Sequence, residues 1–333
     1  MGSIDANGTT AAHGVIRYSE PDDSIPASER SFYSFPASRL VEDHTHELHD
    51  LRQSPIKPGA GLDVQGFTWL THKSALAGDE WFQGRNIEDV YAPEMIKLIC
   101  EVTGAKRAVV DGFGIRTRSA TLQEEKPYDV NLKGDGLDLV VSQLPRDVLR
   151  VSGKDRNNAI PPARTAHIDF SVQGLRDTVR WGRQDIAREA QAAIEAEDAG
   201  EAPRYAAYSI WRPLKPVKKD PLAMLDWRTV DKSDIAPMTS RALSGIRPEG
   251  EYIRTGLSHG PPKNPEMLKW YWIPSQQPDE VVILKFSDTS VGDLGENKPD
   301  IAAHCVHGSP VIPGMEDVEA RESIECRIIA FWD

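Results

Sequence analysis

The stretch Ala163-Arg-Thr-Ala-His167-Ile-Asp169-Phe-Ser171 places a histidine and an aspartate two residues apart in a short apolar run after two prolines. Its pattern predicts a strand over residues 164–171. Strand side chains alternate between faces, so His167 and Asp169 should point the same way. An imidazole and a carboxylate at this spacing can take two neighbouring positions on a divalent metal. They could also form a buried polar pair without a metal. A metal site is favoured only if the sequence offers a third ligand.

Two histidines near the C-terminus are candidates for that third ligand. They lie in the run Ala303-His304-Cys-Val-His307. We prefer His304, and His307 stays the alternative, either as the ligand itself or as a loop histidine exposed to water. Two histidines and one carboxylate on one face leave open coordination positions and suit non-haem Fe(II).

An arginine-rich strand follows the histidines. The run Ala320-Arg321-Glu-Ser323-Ile-Glu-Cys-Arg327 places Arg321, Ser323, Glu325 and Arg327 on one face of a strand. A guanidinium can bind a carboxylate with two parallel hydrogen bonds, and buried arginines need an anion partner. We therefore expect 2-oxoglutarate to bind at Arg321, with Ser323 and Arg327 beside it. The alternative for Arg321 is a salt bridge at the rim with Glu319 or Glu322.

Composition excludes several classes of protein. The chain has 333 residues and a formal net charge of −12, which argues against a general nucleic-acid partner. No run approaches the length of a membrane span, so no membrane partner is expected. The three cysteines, Cys100, Cys305 and Cys326, lack metal-binding or disulfide spacing and favour a reduced, cytoplasmic location. Oligomeric state cannot be read from these features.

The order of elements predicts one domain. Residues 1–28 are expected to be a mobile tail, and residues 29–333 a single domain. A helix is predicted over residues 93–103, and a polar loop over residues 122–162 is expected near a site. The run His44-Thr-His46-Glu-Leu-His49 is interpreted as a solvated loop or the start of a helix rather than a metal site. Many short C-terminal strands then favour a sandwich or barrel.

An ordered set of segments makes the chain similar to a known family. It resembles the fungal AsaB-type hydroxylase/desaturase family, which includes gibberellin-desaturase-like and cephalosporin-methoxylase-like proteins. The resemblance covers roughly residues 65–331, and the matching segments are Val109–Arg116, His167-Ile-Asp169, Trp211–Val217, Pro221–Ala223, Asp226, Trp270-Tyr271, Asp279-Glu280, Lys285–Asp288, His304 and Arg321–Arg327.

The resemblance implies a fold and a site. The expected fold is α+β, a double-stranded β-helix (jelly-roll, cupin-like) core with an N-terminal helical layer. The expected cofactors are Fe(II), 2-oxoglutarate as co-substrate, and O2. His167, Asp169 and His304 would be the iron ligands, Arg321 would bind the distal carboxylate of 2-oxoglutarate, and Arg327 would approach its other carboxylate.

The resemblance also implies a function. The expected enzyme is an Fe(II)/2-oxoglutarate-dependent dioxygenase of fungal secondary metabolism that oxidises a C–H bond of a small natural-product intermediate by hydroxylation, desaturation or oxidative cyclisation. The alternative is a cupin-like hydrolase or isomerase that uses the same triad without 2-oxoglutarate. Candidate substrate contacts are Arg116, Arg118, Trp211, Arg212, Tyr252 and Tyr271.

The chain departs from the family pattern at two places near the expected pocket. Cys305-Val-His307 follows His304 where small polar residues and phenylalanine are usual, and Val-Asp-Gly-Phe-Gly occupies residues 110–114 in place of a Phe-Asp-His pattern. The substrate of a relative should therefore not be transferred to this chain.

Overall fold

A computed structural model describes residues 12–122, 124–126 and 130–333. The strands are β1 (Ala12–Asp22), β2 (Ala37–Asp50), β3 (Phe67–Thr71), β4 (Arg107–Arg116), β5 (Arg150–Ser152), β6 (His167–Ile168), β7 (Tyr205–Pro213), β8 (Ala223–Leu225), β9 (Ile235–Leu243), β10 (Glu251–His259), β11 (Trp270–Trp272), β12 (Glu280–Asp288), β13 (His307–Gly308) and β14 (Ser323–Phe331). The α-helices are α1 (Ala92–Thr103), α2 (Gly136–Ser142), α3 (Val172–Trp181), α4 (Gln184–Glu189) and α5 (Gln191–Asp198).

The strands form two sheets. One has eight strands in the order β1-β2-β11-β8-β13-β6-β10-β9, and the other has six in the order β3-β12-β7-β14-β4-β5. Most neighbours are antiparallel, and the pairs β2–β11 and β4–β5 are parallel. Neighbouring strands are therefore often distant in sequence, which is how a jelly roll brings separate segments to one cleft. The expected α+β jelly-roll architecture is confirmed.

Alternation along the strands of the six-stranded sheet builds two apolar layers. In β12, Val282 and Leu284 join the core between the sheets, whereas Val281 and Ile283 face the layer that contains α1. Because successive side chains point to opposite faces, one continuous apolar run covers both sides of the sheet. Both faces of this sheet are thus buried.

Helix α1 closes the outer face of that sheet. Proline stands in its first turn, and Gly104 ends it in a left-handed conformation with φ 72° and an N–H bond to the Cys100 carbonyl. This is the helix predicted over residues 93–103, with the expected start and end signals. It is the main contribution of the N-terminal part to a helical layer.

The N-terminal part otherwise differs from the expectation. Residues 12–22 do not continue the expected tail, because they form β1 and pair with β2 from Ala12 opposite Leu48 to Asp22 opposite Ala37. Residues 1–11 lie outside the described residues. The part of the expected tail from residue 12 to residue 22 is therefore an edge strand of the eight-stranded sheet.

The histidine run in β2 is neither a loop nor a helix start. His46 is buried, and its Nε2 lies 2.8 Å from the hydroxyl of Tyr18 on β1. Burial, with the neighbouring His44 and His259, lowers the pKa of His46 to about 4. The histidine is therefore neutral near neutral pH and helps to hold β1 against β2. Among the described residues, no helix has the length and apolar character of a membrane span.

Candidate active site

Two short neighbouring strands bring together three possible metal ligands. His167 on β6 lies directly opposite His307 on β13, and their ring centroids are 4.4 Å apart. Asp169 follows β6, with Oδ1 3.3 Å from His167 Nε2. One ligand atom from each of the three residues lies within 4.8 Å of the others, and they are the one such group among the described residues. His167 and Asp169 thus point the same way, as the His-x-Asp spacing predicts.

Main-chain carbonyls orient both histidines. His167 Nδ1 lies 2.7 Å from the Thr165 carbonyl oxygen, and His307 Nδ1 lies 3.2 Å from that of Cys305. Each Nδ1–H therefore donates to a carbonyl, which leaves the Nε2 lone pair for another partner. Such outer hydrogen bonds fix the tautomer of metal-binding histidines.

The charges of the group suit a cation. Burial opposes the charged form of His167, but the adjacent Asp169 carboxylate outweighs it and raises the pKa of the imidazole. Burial likewise opposes the charge of Asp169, but His167 and Arg327 hold the pKa of this carboxyl well below its usual range. Burial and the neighbouring His167 lower the pKa of His307 to about 3. Asp169 is thus ionised and His307 neutral near neutral pH, the forms in which they bind a metal.

The preference for His304 over His307 requires correction. His304 Nδ1 bonds with the Phe286 carbonyl, and Nε2 lies 2.7 Å from the carbonyl oxygen of Asp293. Both ring nitrogens are therefore engaged with the main chain, and the ring packs edge-on against Trp227 at 5.1 Å. His304 lies outside the ligand group, whereas His307, expected as the alternative, is buried within it.

A cavity of about 710 Å³ opens beside this group and contains Arg321. Arg321 is 3% exposed and bonds with the Asp220 carbonyl and the Ser309 hydroxyl. Its Nε has no hydrogen-bond partner among the described residues, and its guanidinium lies 5.4 Å from the Trp211 ring centroid. Burial and the neighbouring Arg116 lower the pKa of Arg321 to about 9. A buried cation with an unused donor fits an anionic ligand.

The other expected co-substrate residues have different surroundings. Arg327 lines the cavity, and its guanidinium is 3.8 Å from Asp169 Oδ2 and 3.8 Å from Asp111 Oδ2. Ser323 is buried, but it is not among the residues that line the cavity. Of the four residues predicted on the inward face of the C-terminal strand, Arg321, Glu325 and Arg327 line the cavity. Ser323 is buried behind the cavity wall.

Three of the six candidate substrate contacts line the cavity, namely Arg116, Trp211 and Tyr252. The other three do not. Arg118 pairs with Glu124 outside the cavity, and Tyr271 packs in the core between the sheets.

Arg212 also lies outside the cavity and forms no ion pair with Asp226. It bonds with the carbonyls of His72 and Pro278 at 2.8 and 2.7 Å, and its guanidinium carbon lies 5.5 Å from the ring centroid of Tyr91. Asp226 pairs instead with Arg228. Arg212 therefore ties three segments of the fold together.

Sequence reasoning missed several residues of the cavity. Arg164 stands in the opening stretch, and its guanidinium pairs with Asp220 at 2.8 Å, so it supports the loop that Arg321 contacts. Arg150 comes from the segment predicted as a polar loop near a site, and that segment does form part of the wall. Arg254 comes from β10 without any local motif. Arg150 and Arg254 were missed because they lie far from any recognisable motif.

The residues present fit Fe(II) and 2-oxoglutarate. Two oriented imidazoles and one ionised carboxylate form the donor set that non-haem Fe(II) uses. The Nε of Arg321 is buried in the adjoining wall without a hydrogen-bond partner in the part of the chain that the structure describes. The Arg321 guanidinium is therefore suited to bind the far carboxylate of a dicarboxylate ligand.

Comparisons with known proteins agree with this chemistry. Residues 16–331 match a protein-family model described as an oxidoreductase/YMDC permease-like domain. The chain is 32% identical over 295 residues to the gibberellin cluster GA4 desaturase of Gibberella fujikuroi, covering 81% of this chain and 82% of that protein. It is 26% identical over 287 residues to the alpha-ketoglutarate-dependent dioxygenase tstK of Talaromyces stipitatus, covering 86% of this chain and 84% of that protein.

A solved structure shares the fold. The iron and alpha-ketoglutarate-dependent endoperoxidase NvfI superposes with a TM-score of 0.58 at 22% identity, covering 96% of this chain and 97% of that one. The expected alternative, a hydrolase or isomerase, finds no support among these proteins, whose names describe oxidative enzymes. The chain belongs to the fungal family of Fe(II)/2-oxoglutarate-dependent oxygenases.

Proposed function

We propose that His167, Asp169 and His307 hold the Fe(II) of this dioxygenase. The observation that carries the proposal is the convergence of their ligand atoms within 4.8 Å beside a cavity that contains Arg321. His167 and His307 would bind through Nε2, because Nδ1 of each ring donates to a carbonyl. Arg327, 3.8 Å from Asp169, would steady that carboxylate.

Arg321 would bind the distal carboxylate of 2-oxoglutarate. Its guanidinium is buried beside Arg116, and Trp211 packs against it. Because Arg321 is buried and Arg116 lies half-buried near it in the same cavity wall, a dicarboxylate would offset an unfavourable concentration of positive charge. Ser323 is too deep beneath the wall to share this role.

Bound iron and 2-oxoglutarate together supply the oxidising chemistry that uses O2 to attack a C–H bond. The protein orients these groups and keeps bulk water away. Leu222, Leu284 and Ile160 provide apolar lining around the polar group. Reactive chemistry in such a closed site is protected from solvent.

The substrate we propose is a small natural-product intermediate of secondary metabolism. Relatives carry names such as desaturase, hydroxylase/desaturase and dioxygenase. Hydroxylation, desaturation and oxidative cyclisation share this site and differ in how the C–H bond is placed.

We further propose a cytoplasmic enzyme of one domain without a nucleic-acid or membrane partner, given its charge of −12 and the absence of a spanning helix among the described residues.

Anaerobic titration with Fe(II) and 2-oxoglutarate tests the assignment of Arg321. The wild type should develop the weak visible charge-transfer band of a chelated complex, and Arg321→Leu should need at least about tenfold more 2-oxoglutarate, because one charge-assisted pair is lost. Arg118→Leu is the control, since that arginine pairs with Glu124 outside the cavity. Equal affinities in Arg321→Leu and the wild type would refute the assignment. Absence of a band in the wild type would refute the proposed site as a whole.

A further inference from the structure

The cavity is strongly cationic in an acidic protein. Eight arginines line it, against the three carboxylates of Asp111, Asp169 and Glu325. The whole chain has a net charge of −12. A pocket of one sign within low-dielectric walls concentrates ligands of the opposite sign. The cavity therefore selects anions although the protein as a whole repels them.

Some of these charges are balanced within the protein. Arg164 and Arg183 form close ion pairs, and Arg327 lies near two carboxylates. Arg116 and Arg321 lie together where the proposed function places the co-substrate. The remaining three cavity arginines, which form no ion pair with a described carboxylate, are Arg146, Arg150 and Arg254.

Arg254 differs from the other two arginines in its surroundings. Arg150 bonds with the hydroxyl of Tyr33 and lies over its ring, and Arg146 is exposed beside Gly250. Arg254 is half-buried and forms no hydrogen bond with any residue in the described part of the chain. Its guanidinium lies 5.1 Å from the ring centroid of Phe170, the residue after Asp169. All its N–H donors are thus available to a ligand.

The strand register separates Arg254 from the proposed metal ligands along the sheet. Ser258 of β10 lies opposite His167, and Arg254 is four residues earlier on the same strand face. Four residues of extended chain span roughly 13 Å. Tyr252 and Ser258 share that face and also line the cavity. His167 and Arg254 therefore enter the cavity at separated positions, and its volume of about 710 Å³ has room for the skeleton of a small molecule.

The wall around that space is largely apolar. Met238 and Ala242 of the neighbouring strand β9, together with Leu243 and Phe35, line the same cavity. Met238 lies opposite Gly256 and Ala242 opposite Tyr252, so they flank Arg254 along the sheet. A site that combines an apolar wall with a cation whose donors are unused binds amphiphilic anions better than neutral or highly polar molecules.

We infer that the substrate is an apolar carboxylic acid whose carboxylate pairs with Arg254. This inference rests on the proposed function, because it places the skeleton between Arg254 and the iron ligands. The guanidinium donates two hydrogen bonds to the carboxylate, and the apolar skeleton lies against β9. The carboxylate fixes which C–H bond faces the metal, so Arg254 is a specificity-determining residue.

The test uses a matched pair of probes, adamantanecarboxylate and adamantanemethanol. Calorimetric titration into the anaerobic Fe(II)- and 2-oxoglutarate-loaded enzyme should show the carboxylate binding at least about tenfold more tightly than the alcohol, because an Arg–carboxylate pair is charge-assisted. Arg254→Gln should abolish that preference, and Arg254→Lys should restore part of it. Arg247→Gln is the matched control, because Arg247 also lies over an aromatic ring, that of Trp181, but outside the cavity.

Three results would overturn the inference. They are equal binding of both probes to the wild type, failure of the carboxylate to bind at millimolar concentration, and a preference that survives in Arg254→Gln. Loss of the 2-oxoglutarate charge-transfer band in Arg254→Gln would also overturn it, because Arg254 would then serve the co-substrate. A wild type without that band would instead refute the proposed function, so the two failures are distinguishable.

Discussion

At the scale of single residues, hydrogen bonding separates two histidines that look equivalent in sequence. His304 has both ring nitrogens against carbonyl oxygens, those of Phe286 and Asp293. His307 has one nitrogen against the Cys305 carbonyl and turns its other edge toward His167. A metal ligand needs a free lone pair on one nitrogen and orientation through the other. Only His307 meets both conditions.

Substitution of each histidine by glutamine should give opposite results. His307→Gln should lose the charge-transfer band that Fe(II) and 2-oxoglutarate produce, because one of three protein ligands is removed. His304→Gln should keep the band, although its melting temperature should fall because the packing and main-chain hydrogen bonding of a buried ring are lost. Parallel measurement of the band and of thermal unfolding by circular dichroism separates the two effects. A folded His304→Gln protein without the band would show that our assignment of the third ligand is incorrect.

At the scale of elements, the site depends on how closely α3 approaches β10. Gly174 lies in the first turn of α3, where its N–H bonds with the Ser171 hydroxyl. A Cβ at this position would lie 1.9 Å from the Thr255 carbonyl oxygen and 2.8 Å from its carbon. The added Cβ would meet main-chain atoms of Thr255 rather than a flexible side chain. Either α3 or β10 would therefore have to move to make room for it. Thr255 adjoins Arg254, which connects this contact with the cavity wall.

Alanine at position 174 should therefore destabilise the protein. We expect a loss of about 1–3 kcal/mol in the free energy of unfolding, as is typical of overpacked sites. Gly136→Ala is the control, because Gly136 also begins a helix, α2, but has no atom within 4 Å of an added Cβ. That control should be neutral or slightly stabilising. Chemical denaturation of both variants checks the prediction, and equal stabilities would contradict the close approach.

At the scale of the whole molecule, the site joins the two sheets. His167 and His307 belong to strands of the eight-stranded sheet, whereas Arg321 immediately precedes β14 of the six-stranded sheet. Glu325 of β14 interacts electrostatically with both Asp169 and Arg321. A ligand that contacts the metal ligands and Arg321 together therefore bridges the sheets. Its binding energy should appear as stability of the entire fold.

Thermal unfolding under anaerobic conditions should reveal this bridge. Fe(II) with 2-oxoglutarate at a hundred times its dissociation constant should add about 2.7 kcal/mol to the free energy of unfolding. Fe(II) alone or 2-oxoglutarate alone should add less to the free energy of unfolding, because each would then contact only one side of the cleft between the sheets. The same additions should leave His307→Gln nearly unchanged. An increase of equal size in His307→Gln would show that stabilisation arises at another site.

Much of the fold could be predicted because it depends on local patterns. Helix α1 has a proline in its first turn and a left-handed glycine at its end, and both signals act within a few residues. The C-terminal strand shows its two faces in sequence, with Cys326 and Ile328 directed to the outer layer and Glu325 and Arg327 to the cavity. The early strand β1 was not predictable in the same way, because its stability comes from pairing with β2.

The sequence by itself determined that His167 and Asp169 point the same way, because alternation in an extended chain places residues two apart on one face whatever surrounds them. It also predicted an anion site at Arg321, which the structure buries in the cavity wall. Only the tertiary structure placed His307, rather than His304, beside that pair and Arg254 in the cavity wall. Those choices depend on which distant strands pair and where carbonyl groups lie. Contacts between residues more than a hundred positions apart leave no local pattern in the sequence, so such patterns cannot predict them.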